Sequence, residues 1–132
     1  MLRSQRLIYI SRSKIGGDIG KLTFLREQSI RNNQRDGVKG ALYYDGHVFF
    51  QVLEGPEPRV EGLLQRLRAD PRHADLHVVC RVHEKDPMFT NWDMKFVSGI
   101  ADPGRAVRFK YEAMTAATEQ TVQGLLLELK AA

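Results

Sequence analysis

Ala41-Leu42-Tyr43-Tyr44-Asp45-Gly46-His47-Val48-Phe49-Phe50-Gln51-Val52-Leu53 is the stretch that decides the fold. Two runs rich in apolar and aromatic side chains flank Asp45-Gly46, a dipeptide suited to a two-residue hairpin turn in which both positions take positive φ. The runs are therefore expected as antiparallel neighbours, the second strand covering about residues 38–44. Gly37 and Gly40 punctuate the approach to this hairpin, and Gly55-Pro56-Glu57-Pro58 ends it. Beyond that break, Val60, Leu63, Leu64 and Leu67 recur at the i, i+3, i+4, i+7 spacing of an amphipathic helix, which Asp70-Pro71 stops.

Working outward, residues 5–11 carry apolar or aromatic side chains on both alternating faces, as a strand covered on both sides would. Asp18 is placed to cap a helix whose apolar stripe, Ile19, Leu22, Leu25 and Ile30, runs to about Asn33. Residues 76–83 read as a fourth strand and residues 93–98 as a fifth. The order β-α-β-β-α-β with one strand added predicts an α+β fold of ferredoxin-like layout, with two helices on one face of a mixed sheet. The opposite face needs a cover. Val107 to Met114, then Val122, Leu125, Leu126 and Leu129, can supply it as one or two helices after the Asp102-Pro103-Gly104 junction.

A chain of 132 residues buries one sizeable core, and 42% hydrophobic with 27% charged residues is an ordinary globular composition. No apolar run approaches the roughly 20 residues of a spanning helix, so no membrane association is expected. The N-terminal residues lead into a strand without a signal-like apolar core, which makes the cytoplasm the expected location. One cysteine, Cys80, excludes an internal disulfide and reads as a buried small hydrophobe. The net charge of +4 is spread along the chain, so no nucleic-acid partner is expected.

Three polar residues fall where periodicity predicts the interior. Tyr9 shares a strand face with Leu7 and Ser11, and Gln51 one with Phe49 and Leu53. Asn33 lies within about 20° of Leu22 on the helix wheel. Burying such groups costs several kcal/mol unless each finds a partner. Each could be satisfied separately: Tyr9 by a backbone carbonyl, Asn33 by capping its helix, Gln51 by an edge contact. Together, on one layer, they would instead form the wall of a polar ligand site.

These residues lie in segments that resemble the BLUF family over about residues 5–100. Arg6-Leu7-Ile8-Tyr9-Ile10-Ser11 is similar to its opening strand, and Asn32-Asn33-Gln34-Arg35-Asp36-Gly37-Val38-Lys39-Gly40 to its helix-to-strand segment. The most specific piece is Gly46-His47-Val48-Phe49-Phe50-Gln51-Val52-Leu53-Glu54-Gly55-Pro56. Asp70-Pro71-Arg72-His73 and Phe89-Thr90-Asn91-Trp92-Asp93-Met94 resemble later motifs in the family's order. Lys39 departs from it, standing where the family commonly has a small hydroxylated residue.

The resemblance implies a flavin-binding domain over residues 1–100 and a helical extension, 101–132, packed on it. It implies a non-enzymatic blue-light receptor holding FAD non-covalently, with FMN or riboflavin as conceivable substitutes. The flavin ring would lie between the two helices, its polar edge surrounded by Tyr9, Asn33 and Gln51. Tyr9 would donate an electron and a proton, and Gln51 would change its hydrogen bonds before they return. A glutamine can do so because it carries donor and acceptor on one group. Asn32, Arg66, Asp70, Arg72 and His73 are further candidates at the ring. Trp92 and Met94, on one strand face, would compete for the place beside Gln51 and couple it to the exterior. Output is expected through a separate signalling protein or through homo-oligomerisation.

Two other functions fit the same order less well. An acylphosphatase-like enzyme would need an arginine loop after the first strand and an asparagine on the second, where Tyr43 and Tyr44 stand. An RNA-binding module would need exposed stacking aromatics with a clustered basic rim. His73 and His77 have a spacing sometimes used for zinc, but no third ligand stands out, and no metal is assigned.

Overall fold

The computed structural model describes residues 3–83, 86–89, 94–98 and 119–131. In chain order these form β1 (Ser4–Ser13), α1 (Ile19–Asp36), β2 (Lys39–Tyr44), β3 (Val48–Pro56), α2 (Glu57–Ala69), β4 (His73–His83), β5 (Lys95–Ser98) and α3 (Glu119–Ala131). One sheet of order β4-β1-β3-β2-β5 contains all five strands. Neighbours among the first four are antiparallel, and the sheet is mixed because β5 runs parallel to β2. This is the expected ferredoxin-like order with one strand added. The expected first C-terminal helix and the Asp102-Pro103-Gly104 junction lie outside the described residues.

The sheet is buried on both faces. Leu7, Tyr9, Phe49, Leu53 and Leu42 face α1 and α2, packing with Leu22, Leu25, Val60, Leu63 and Leu64. Ile8, Ile10, Phe50, Val52 and Tyr43 face the other way, where Val122, Leu125, Leu126 and Leu129 of α3 cover them. Strand periodicity therefore sends alternate residues into two separate cores. Cys80 is only partly buried, packed against the α3-side core from the edge strand β4, rather than fully enclosed as expected.

The hairpin differs from its expected geometry. Asp45 is not left-handed, and only Gly46 takes a positive φ, at 92°. Tyr44 pairs with Phe49, so the connection is longer than two residues. Its Asp45 carboxylate accepts the backbone N–H groups of His47 and Val48, both at 2.9 Å, and that local bonding sets the turn without a left-handed aspartate. At Gly40 a Cβ would lie 1.9 Å from the Val52 carbonyl oxygen, so only glycine lets β2 approach β3 there.

A buried ion pair ties the sheet to residues preceding β5. Arg6 and Glu54 are opposite one another on β1 and β3, and the Arg6 Nε donates to Glu54 at 2.8 Å. The same carboxylate accepts the Met88 and Phe89 N–H groups at 3.0 and 2.7 Å. Among the described residues no helix is long and apolar enough to cross a membrane. Glu54→Ala removes the acceptor of three donors, those of Arg6 and Phe89 buried, and is expected to destabilise the fold by about 3–5 kcal/mol. Urea unfolding checks this against Glu61→Ala, which breaks the more exposed Arg81 pair and should cost under about 1 kcal/mol.

Candidate functional site

Adjacent β1 and β3 bring the two strand candidates face to face: Tyr9 is the register partner of Gln51, on the side covered by α1 and α2. Opposed side chains in an antiparallel pair are within direct reach. The Tyr9 hydroxyl donates to Gln51 Oε1 at 2.5 Å, and Gln51 Nε2 donates to Met94 Sδ at 3.7 Å. The carboxamide is thus held with its oxygen toward the phenol and its nitrogen toward the thioether, a weak acceptor. Neither the backbone-carbonyl arrangement for Tyr9 nor the edge contact for Gln51 occurs, since β3 is the central strand.

Asn33 comes from α1. Asp18 caps that helix by accepting the Lys21 N–H, and Gly37 ends it in the left-handed conformation with φ 68°, donating to the Asn33 carbonyl. The Asn33 residue is 1% exposed, on the stripe it shares with Leu22. With Asn32, Gln51, Leu63 and Arg66 it lines a cavity of about 130 Å³ between the helices. A deeper pocket of about 20 Å³ reaches Tyr9, Phe49 and His73, and an outer cleft of about 930 Å³ opens past Arg66, Asp70 and Arg72. Tyr9, Asn32, Asn33, Gln51, Arg66, Asp70, Arg72 and His73 therefore line adjoining pockets that share Gln51, Asp70 and Arg72, the slot between the helices.

Arg66 and Asp70, four residues apart, do not pair with each other. Asp70 caps α2 with extended backbone, φ −78° and ψ 120°, which carries it off the helical i, i+4 row. Arg66 instead pairs with Asp36 at 2.9 Å, while Asp70 is gripped by Arg72 at 2.6 and 3.0 Å. Arg72 also donates to Gln28 Oε1 at 2.9 Å and so clamps the end of α2 to α1. Gln28, Ser29 and Asp36 were missed in the sequence. Gln28 and Ser29 stand four residues before Asn32 and Asn33, and that spacing is the signal that marks them. Met94 is buried beside Gln51, whereas Trp92 lies outside the described residues. Among the described residues no cluster of His, Cys, Asp or Glu is placed to hold a metal ion.

Burial raises the Tyr9 pKa well above the ordinary phenol value; the Asp70 charge adds to this and Arg72 opposes it. Burial also works to raise Asp70, but hydrogen bonds and charge from Arg72 outweigh it and hold the carboxyl below its usual range. His73 is pushed down to about 4, chiefly by burial, with Asp70 opposing and Arg72 assisting. Its Nδ1 lies 2.8 Å from Ser11 Oγ, and its ring stands edge-on to Tyr9 at 6.0 Å. The slot therefore holds a neutral phenol and a neutral imidazole at physiological pH. Because the folded His73 value lies below the unfolded one of 6.5, its contribution to stability is present above pH 6.5 and shrinks as pH falls toward 4. Denaturant midpoints between pH 7 and 4 should show a loss on the order of 2–3 kcal/mol that His73→Phe removes.

A family profile described as sensors of blue light using FAD matches residues 5–95. The chain is 29% identical to the blue light- and temperature-regulated antirepressor BluF of Escherichia coli K12, over 87% of this chain and 34% of that protein. It is 35% identical to the photoactivated adenylate cyclase subunit beta of Euglena gracilis, over 69% of this chain and 11% of that one. It thus spans well under two thirds of either relative. The solved structure of BlsA in its ground state superposes with a TM-score of 0.84 at 26% identity, covering 98% of this chain and 89% of that one. By the profile and by the fold alike, the chain belongs to the BLUF family, the sensors of blue light using FAD.

Proposed function

We propose that this chain is a photoreceptor domain that holds FAD non-covalently between α1 and α2 and converts blue light into a reversed hydrogen-bond pattern at Gln51. The observation that carries the reading is the buried hydrogen bond from Tyr9 to Gln51 at the inner end of the slot. The donor set fits the group: a flavin's polar edge mixes carbonyl acceptors with an imide donor, and the carboxamides of Asn32, Asn33 and Gln51 offer both functions. The single cysteine packs on the other face of the sheet, which supports non-covalent binding.

When bound, the flavin supplies light absorption and an excited state that accepts an electron. Tyr9 is suited to give that electron together with its proton, because burial keeps the phenol protonated in the dark. While Tyr9 is oxidised its hydroxyl no longer donates to Gln51 Oε1, and the carboxamide is released to reverse. The electron and proton then return to Tyr9, so the cycle consumes nothing. After reversal, by rotation or tautomerisation, Gln51 presents to Tyr9 and Met94 the opposite functions from those it presents in the dark. Asn33, Arg66, Asp70, Arg72 and His73 would hold the ring in place.

Met94 immediately precedes β5, so a change at Gln51 is felt at the sheet edge. We extend the reading to Trp92 as the partner in that exchange, and to a downstream protein or a second copy of the chain as receiver. The names of the relatives, an antirepressor and a photoactivated cyclase subunit, support an output carried by other protein parts. The acylphosphatase alternative finds no support: Lys14-Ile15-Gly16-Gly17 follows β1 without an arginine, and Tyr43 and Tyr44 occupy β2.

Purified protein should be yellow and release FAD on denaturation. Tyr9→Phe and Gln51→Leu should each retain flavin yet lose the reversible red shift that blue light induces in the unmodified protein. Absorption spectra before and after illumination check this, and a normal shift in either variant would remove that residue from the mechanism.

A further inference from the structure

Ser11 is fully buried on the slot face of β1, two residues from Tyr9, and the photochemistry leaves it without a task. Its Oγ lies 2.8 Å from Nδ1 of His73, the first residue of β4. A break in strand register brings His73 to this face. Ile10 pairs with His77 and Arg12 with Ala74, so β4 carries one more residue than β1 over that interval. Uninterrupted pairing would set Ala74 opposite Ser13 and turn His73 to the other side of the sheet. The extra stretch contains Asp75, whose φ of 53° is a left-handed conformation that aspartate tolerates. His73 is thus placed opposite Ser13 and diagonal to Ser11, its ring tilted on Phe49 at 4.4 Å.

A neutral imidazole carries one N–H, and the partner of one nitrogen decides the role of the other. Burial keeps His73 neutral at physiological pH. Among the described residues the Ser11 hydroxyl has no hydrogen-bond partner besides Nδ1. Ser11 is 0% exposed, so the O–H is shut off from solvent, and a buried donor left unused is costly. The hydroxyl therefore donates to Nδ1, Nδ1 is the unprotonated nitrogen, and the ring proton sits on Nε2. Nε2 has no hydrogen-bond partner among the described residues, and His73 lines the inner pocket together with Tyr9 and Gln51.

We propose that Ser11 is a positioning residue: by donating to Nδ1 it locks His73 in the tautomer protonated at Nε2, so that His73 offers the slot a hydrogen-bond donor and not an acceptor. A donor is what a flavin carbonyl requires. That last step rests on the flavin reading given above, whereas the tautomer is a property of the chain alone.

Nitrogen NMR of the full chain with labelled histidine, freed of flavin, tests the lock, the His73 signals being assigned by their loss in His73→Phe. A proton bonded to Nε2 and none to Nδ1 is expected. Ser11→Ala should let the proton distribute over both nitrogens, and Ser11→Thr, which keeps the hydroxyl, should restore the single tautomer. In equilibrium titration with FAD, Ser11→Ala should weaken binding about tenfold, as the loss of one oriented hydrogen bond would, and Ser11→Thr should recover it. Because Ser11 acts through His73, adding Ser11→Ala to His73→Phe should cost no further affinity. A proton on Nδ1 in the unmodified chain, an unchanged tautomer in Ser11→Ala, or losses that add in the double variant would overturn the inference. A chain that shows the Nε2 proton but takes up no flavin would overturn the flavin reading, and with it the donor role, while the lock itself stands.

Discussion

Tyr9 and Gln51 touch because β1 and β3 lie side by side at the centre of the sheet, and the chemistry of the slot depends on that contact. A buried hydroxyl or amide left without a partner costs about 1–3 kcal/mol, so the pair stays together. Yet a carboxamide can satisfy the same neighbours in two orientations, and the contact is therefore both obligatory and reversible. A carboxylate at position 51 would accept only. A buried phenol at position 9 supplies the complement, since its raised pKa keeps a proton available to move.

What surrounds the pair keeps it dry and in register. Gly40 lets β2 close against β3, and the Arg6–Glu54 pair fixes the same two central strands three residues away from Tyr9 and Gln51. On the helix side, Arg72 joins Asp70 at the end of α2 to Gln28 on α1, so one guanidinium sets the width of the slot. Polar groups here serve geometry more than net stability, because a buried ion pair recovers little beyond its own desolvation.

Much of this was legible in the sequence. Strand alternation placed Tyr9 and Gln51 inside, and helical periodicity placed Asn33 there, because each obeys the same repeat as its apolar neighbours. The order of elements was legible for the same reason. What periodicity could not reach were contacts made where regular structure ends. Asp70 leaves the helix at its cap, and Arg66 pairs with Asp36, 30 residues away in the chain, a contact that no local spacing announces. Asp45 escaped the left-handed turn because its side chain could bond two backbone N–H groups instead.

Infrared difference spectroscopy on the flavin-loaded protein, recorded as illuminated minus dark, observes the donor–acceptor exchange itself. If Gln51 reverses as proposed and offers a new donor to the flavin, a flavin carbonyl band should move to lower frequency under blue light and return in the dark. A difference spectrum in which no carbonyl band moves, although light is absorbed, would contradict the reversal of Gln51 as the primary signal.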